Sequence, residues 1–361
     1  MVGRGRRFAL RRNLAVIARS RDLAPVGRGG PVDLGATASP VSGEAKPAPD
    51  AHDLGTLSRN ESMRVTAVGT SGGVPTPQYG TSCLHLNAFG DEILLDCGEG
   101  SAQRLMRYDA SPDVDAVVLT HFHADHTLGI PGLLQALEMN ERERPLDIHV
   151  PKGRTERARR LIEGAYGWPS YTVAVRGYDD DPVIQTDRYS VRAFETPYTE
   201  YSYGICLREA DERTFLVERA QALGVDPGPE YGKLQDGQSV ETDDGTVVEP
   251  DDVLSDPEPG RKIVYTGDTR PTPGVIDAAS NSTLLIYNAM FADDRSERAH
   301  ATGHSTAGEA GRVASESESE RLWLTHISPR HEGEEDRLEA EAGESFEGTV
   351  TAVRDGDSIA L

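Results

Sequence analysis

Lysine is nearly missing from this chain. Only Lys46, Lys152, Lys233 and Lys262 occur in 361 residues, against 60 Asp and Glu, and the net charge is −23. A protein that was merely acidic would still carry lysine on its surface. Its avoidance points to a dense, hydrated carboxylate coat adapted to concentrated salt. Cysteine is scarce too. Cys83, Cys97 and Cys206 provide no disulfide framework and suit a reducing cytoplasm. No apolar run approaches the ~20 residues a membrane-crossing helix needs, so the sequence predicts no such span. Hydrophobic content is 37%, low but adequate for a core at this length. The shortage of positive charge argues against a phosphate-rich partner in dilute buffer. In molar salt the Debye length falls to about 3 Å, bulk repulsion is screened and only local contacts count.

Residues 1–62 are rich in Arg, Gly, Pro, Ala and Ser and lack any sustained apolar period. They read as a disordered extension or an upstream start, with the folded domain spanning 63–361. Arg6-Arg7-Phe8 and Arg11-Arg12 hint at a twin-arginine signal, but the apolar stretch from Asn13 to Ile17 is too short for an export segment. From Met63 onward, strands are expected at Met63–Val68, Ser82–Asn87, Glu92–Asp96, Asp147–Val150, Tyr171–Val175, Tyr189–Glu195 and Tyr203–Glu209. Helices are expected at Ser101–Tyr108 and, rich in arginine, at Thr155–Tyr166. Residues 212–258 differ. A short amphipathic patch, Phe215–Leu223, gives way to Gly, Pro and acidic runs, which reads as an inserted knob on a flexible stalk.

The chemistry is concentrated in His121-Phe122-His123-Ala124-Asp125-His126. The apolar run Ala116–Thr120 before it reads as a buried strand, and Gly129-Ile130-Pro131 after it opens a helix. An extended chain puts His121 and His123 on one side, and Asp125 and His126 can face the same point as the chain turns. Three imidazoles and a carboxylate at this spacing suit zinc, manganese or iron.

This hexad resembles the signature of the metallo-β-lactamase superfamily. An ordered set of further segments narrows the resemblance to the ribonuclease Z family over residues 63–361: Met63-Arg-Val-Thr-Ala-Val-Gly-Thr-Ser-Gly-Gly, Leu95-Asp-Cys-Gly-Glu-Gly, Gly228-Pro-Glu-Tyr-Gly-Lys-Leu, Tyr265-Thr-Gly-Asp-Thr-Arg, Gly303-His-Ser-Thr and Leu324-Thr-His-Ile-Ser-Pro-Arg. The resemblance implies an α/β fold, an αββα sandwich of two face-to-face sheets with helices outside and an inserted arm at 212–258 that grips tRNA. It implies a zinc-dependent endoribonuclease that cuts precursor tRNA 3′ of the discriminator nucleotide, usually as a homodimer. It assigns His121 and His123 to one metal, Asp125, His126 and His326 to another, and Asp268 to both. Asp125 also orients the attacking water, and His304 assists the leaving oxygen. Arg270 and the arginine-rich helix are candidate phosphate contacts.

Two positions depart from the family pattern. Tyr198 stands where a third histidine normally completes the first metal site, so two ions are expected with the first weakened; Glu200 is a candidate replacement. Tyr287-Asn288-Ala289-Met290 stands where the family carries His-Glu-Ala-Thr, which removes a pair that orients the ligands. These departures keep two alternatives open: another phosphodiesterase or hydrolase of the same fold, and a catalytically weakened paralogue that binds RNA. His300 and His331 read as surface histidines.

Overall fold

The computed structural model describes residues 63–361 apart from 109, 166, 180 and 181. The expectation for residues 1–62 lies outside the described residues.

Two seven-stranded sheets form the frame. In the first, the strands run in the order Ser358–Ala360, Met63–Gly69, Cys83–Ala88, Asp91–Leu95, Ala116–Val118, Leu146–Pro151 and Val173–Tyr178. In the second they run Thr349–Ala352, Arg321–Thr325, Leu284–Asn288, Lys262–Tyr265, Tyr203–Glu209, Tyr189–Glu195 and Ile184–Gln185. Apolar side chains between the sheets form one core, in which Val65, Leu86 and Val118 meet Ile205, Ile263, Ile286 and Trp323. Helices cover both outer faces. Leu105, Leu133, Leu137 and Ile162 pack on the first sheet, while Val275, Ala310, Val313 and Leu338 pack on the second. This is the four-layer αββα arrangement the resemblance implies. Covered on both faces, the parallel central strands are largely apolar: Leu284-Leu-Ile-Tyr-Asn is buried at all five positions.

The parallel strands Ala116–Val118, Lys262–Tyr265 and Arg321–Thr325 are each followed by a loop carrying polar residues of the candidate site, and Leu284–Asn288 ends on Asn288 beside it. Such a rim of strand ends is where an α/β sheet exposes chemistry without breaking its core.

One predicted strand is displaced. The strand expected at Tyr171–Val175 forms at Val173–Tyr178, because Tyr171 is a buried anchor whose hydroxyl donates to Leu134 O at 3.2 Å. The insert carries helices and a short hairpin on a stem. Its stem is a paired ribbon, bridged at Glu212–Glu258 and Phe215–Leu254 and pinned by Arg213, which donates to Ser255 O at 2.8 Å. Beyond the stem, helices Val217–Ala222 and Pro229–Gln235 and the hairpin Val240–Glu241/Val247–Val248 enclose Ala220, Val225, Leu234, Val240, Val248 and Val253. The acidic runs lie on the outside of this small apolar core.

Candidate metal centre

The chain leaves the strand Ala116–Val118 extended and is held so by side chains. The Tyr178 hydroxyl donates to Leu119 O at 2.6 Å, and Thr120 donates from its backbone N and its hydroxyl to the Asp96 carboxylate. Extended backbone brings the rings of His121 and His123 edge to face at 4.7 Å. A single helical turn, Ala124–Thr127, then swings Asp125 and His126 inward. Asp125 Oδ2 accepts a hydrogen bond from Gly73 N at 2.9 Å, which ties it to the glycine-rich loop after the first strand.

His126 is fully buried and gripped from behind. Its Nδ1 lies 2.7 Å from Asp96 Oδ2, which also accepts from the Tyr265 hydroxyl at 3.0 Å. A carboxylate on Nδ1 sets the ring orientation and turns Nε2 toward the centre. Asp96 sits at φ 59°, a left-handed conformation that costs a non-glycine residue energy and is kept here by the four groups it satisfies. Asp96 lies within Leu95-Asp-Cys-Gly, where nothing in the neighbouring residues marks it for this role. The signal lay in a lone carboxylate at a strand end, which gains meaning only when Thr120, His126 and Tyr265 converge on it.

Asp268 and His326 arrive from the second sheet. His326 Nε2 lies 3.1 Å from Asp125 Oδ2, 3.3 Å from Asp268 Oδ1 and 3.4 Å from His126 Nε2. His126 Nε2 lies 3.5 Å from Asp268 Oδ2 and 3.6 Å from Asp125 Oδ2. Donors about 2.0–2.1 Å from one tetrahedral ion lie roughly 3.3–3.4 Å apart, so these separations fit a zinc-sized site. Buried Asp268 Oδ1 and His121 Nε2 have no hydrogen-bond partner, as groups aimed at an ion would. His326 takes φ 57°, a second strained residue in the same cluster.

Burial and the mutual charges of these groups shift them strongly from their ordinary values. Burial alone would raise the Asp268 carboxyl, but His326 and His126 outweigh it and hold Asp268 well below the usual carboxylate range. Burial lowers His126, yet Asp96 and Asp268 reverse the sign and raise it. His121 is pushed down by burial and by the neighbouring His126.

The His123 side is assembled differently. His123 is exposed and lies outside every cluster of three donors among the described residues. Its Nδ1 is 3.2 Å from the Tyr198 hydroxyl, which is 3.3 Å from His304 Nε2. Gly303, at φ 78°, ends the helix Ser296–Thr302; a Cβ there would meet the Tyr198 ring at 2.8 Å, so the ring packs on bare backbone. Burial raises the phenol above its ordinary value, with Asp268 and Asp125 adding to the effect. Glu200 is exposed and offers its carbonyl to Arg154 rather than its carboxylate to the centre.

His304 lies 3.9 Å from Asp268 through Nδ1, and burial pushes it down to about 4. The helix Ala307–Glu316 positions it by a reciprocal cap, in which Glu309 N donates to the Thr306 hydroxyl and Thr306 N donates to the Glu309 carboxylate. The Tyr287-Asn288 pair also has work. The Asn288 amide donates to Thr269 O at 2.8 Å and accepts from Ser305 N at 3.3 Å, bracing the residues next to Asp268 and His304. Tyr287 is buried, with its hydroxyl 3.4 Å from Ser305 Oγ. Arg270 lies 3.7 Å from Glu309, and exposed His300 lies 2.8 Å from the same carboxylate. His331 is not a surface residue. It is 3% exposed, packed edge-on to Phe291 and 2.8 Å from Glu334, because the Pro329–His331 turn folds its ring inward.

The metallo-β-lactamase superfamily model matches residues 80–302. Ribonuclease Z of Natronomonas pharaonis is 47% identical over 300 residues, covering 82% of this chain and 97% of that protein. The chain belongs to the ribonuclease Z family. Ribonuclease Z of Halorubrum lacusprofundi is 42% identical, with 82% of this chain and 97% of that protein covered. The bacterial relative from Myxococcus xanthus is 40% identical, with 83% and 98% covered. Among solved structures, the metallo-β-lactamase fold protein YhfI of Bacillus subtilis superposes with a TM-score of 0.61 at 22% identity, covering 83% of this chain and 99% of that one. The short form of human tRNase Z superposes with 0.58 at 24%, covering 82% and 98%. Both structures share the fold. The salt-loving sources of the first two relatives fit the acidic, lysine-poor surface.

Proposed function

We infer that this chain is a metal-dependent endoribonuclease that cuts precursor tRNA on the 3′ side of the discriminator nucleotide and releases the 3′ trailer. The observation that carries this reading is likeness to ribonuclease Z over nearly the whole length of its relatives. The convergence of Asp125, His126, Asp268 and His326 at tetrahedral spacing supports it.

Those four residues would hold the ion, with zinc the favoured metal and manganese the alternative, since mixed imidazole and carboxylate donors suit both. When bound, such an ion acts as a Lewis acid at phosphorus and lowers the pKa of water. A second ion would have His121, His123 and a share of Asp268, with Tyr198 in place of an imidazole, and is therefore weakly held. Asp125, fixed by Gly73 N and His326, orients the attacking water and takes its proton. Water adds to phosphorus, and the bond to the discriminator O3′ breaks. The departing O3′ takes up a proton from solvent, so the tRNA keeps a 3′ hydroxyl and the trailer a 5′ phosphate. His304, neutral at pH 7 with a pKa near 4, donates an N–H hydrogen bond to the departing oxygen as its charge develops.

The knob within 212–258, with its own core on a paired stem, is proposed as a tRNA-gripping arm, and the working state as a homodimer. A cytoplasmic location is supported by three free cysteines, and no helix among the described residues is long and apolar enough to cross a membrane. The test is cleavage of 5′-labelled precursor tRNA by the full chain in molar KCl with zinc or manganese. A single cut after the discriminator nucleotide, lost in Asp125→Ala, is expected. Hydrolysis of a small phosphodiester with precursor tRNA untouched would overturn the assignment.

A further inference from the structure

We propose that the face carrying Arg154 and Arg157 beside the metal turn binds the single-stranded RNA that flanks the cut, holding a phosphate with the guanidinium groups and an unstacked base in the cleft beside Arg157. The proposal rests on the endoribonuclease reading and adds the place where the strand lies.

Residues 152–160 reverse the charge of the molecule. They hold five cations and one acid, Glu156, in a chain whose net charge is −23. Glu156 is taken by Arg160 at 3.1 Å. Arg157 has no carboxylate within ion-pair distance among the described residues, and its guanidinium lies 4.9 Å over the ring of Phe122. Phe122 sits between His121 and His123, so the free cation is anchored directly on the metal turn. Arg154 lies 4.7 Å over Tyr201, in the same loop as Tyr198. Tyr201 takes φ 65° and rests against Gly153, where a Cβ would come within 2.5 Å of its ring. The two arginines are thus each spread on an aromatic plane.

Beside Arg157 lies a cleft of about 310 Å³ lined by Phe122, Thr127, Leu128, Leu161 and Arg160. Leu128 is 48% exposed at its mouth, an apolar surface facing water on a highly charged molecule. A basic rim beside an exposed apolar surface suits single-stranded nucleic acid, with phosphate on the cations and a base against Leu128 and Leu161. Arginine suits this task in concentrated salt. Its planar fork bonds phosphate at short range, and stacking is not screened as long-range attraction is.

The test measures binding apart from cutting. In an Asp125→Ala background, anisotropy of a short labelled single-stranded RNA is followed in molar KCl for the parent, R154E, R157E and R159E. Arg159 serves as the charge control because it lies outside the cleft and donates to Val175 O at 3.4 Å. Loss of a charge-assisted phosphate contact is expected to weaken binding roughly tenfold or more for R157E and R154E, with R159E changed less than about twofold. Zinc content equal to the parent's shows that the variants fold. On the active chain, R157E raises KM for precursor tRNA by a larger factor than it lowers kcat. Unchanged RNA binding in R157E, or an equal loss in R159E, overturns the proposal. If the parent binds single-stranded RNA through Arg157 but cuts no precursor tRNA, the endoribonuclease reading fails and the claim that this RNA flanks a cut is overturned with it, while the binding face itself is retained.

Discussion

Around His126, donor atoms from both sheets lie 3.1–3.6 Å apart, and the ring is held from behind by a carboxylate that is itself four times satisfied. Around His123, the ring is exposed and its Nδ1 meets a phenol. Both halves descend from one six-residue motif, so ligand identity does not separate them. Support does. A buried carboxylate lowers the cost of presenting an imidazole to an ion, because orientation and charge are settled before the ion arrives. On the proposed reading, the Tyr198 phenol at the corresponding place on the other half takes a hydrogen bond with His123 and is a poorer ligand than an imidazole. The asymmetry teaches that a metal site is specified as much by residues that never touch the ion as by those that do.

The most damaging change short of removing a ligand is therefore expected at Asp96. Asp96→Ala strips His126 of its brace and leaves Thr120 and Tyr265 without their acceptor, so the strong half comes to resemble the weak one. Metal affinity is expected to fall ~10–100-fold, measured by competition with a fluorescent chelator. An unchanged affinity would mean that the ligands alone determine the site.

A smaller effect, remote from both halves, is expected at the stem of the arm. Arg261 donates to both oxygens of Glu209, at 2.6 and 2.7 Å, where the insert leaves the sheet. This bond holds the Glu209 carboxyl below its ordinary value. A depressed carboxyl stabilises the fold above its unfolded pKa and loses that contribution as pH falls through the folded value. Glu209→Gln is expected to cost under ~1 kcal/mol, because the pair is partly screened by solvent, and to speed proteolysis within 212–258 at neutral pH. In the parent the same loosening appears only in acid. Zinc content should not change; if it does, the arm and the centre are coupled and the asymmetry is not local.

Much of the fold was legible because it rests on periodicity and on local motifs. The hexad, the strands on either side of it and the strand-end positions of Asp268 and His326 could be read from neighbouring residues. What escaped depends on convergence. Asp96 lies 30 residues before His126, and only the packed sheets bring it under that ring. His331 looked exposed in a run of Glu and Arg, and its burial comes from Phe291 and the Ala292 backbone, 40 residues away. Asn288 looked like a loss against the family pattern, yet its amide spans Thr269 and Ser305 with a donor and an acceptor that a glutamate would not offer together. The acidic runs of 212–258 hid a small apolar core because its residues are spread singly among charges.

The asymmetry between the two halves is tested most directly by counting metal ions in the full chain by native mass spectrometry after dialysis against zinc-free buffer, for the parent and for Tyr198→His. One retained zinc in the parent and two in Tyr198→His is the expected result, since the imidazole restores the missing donor beside His121 and His123. Two firmly retained ions in the parent would contradict it and show that the phenol serves as a full ligand.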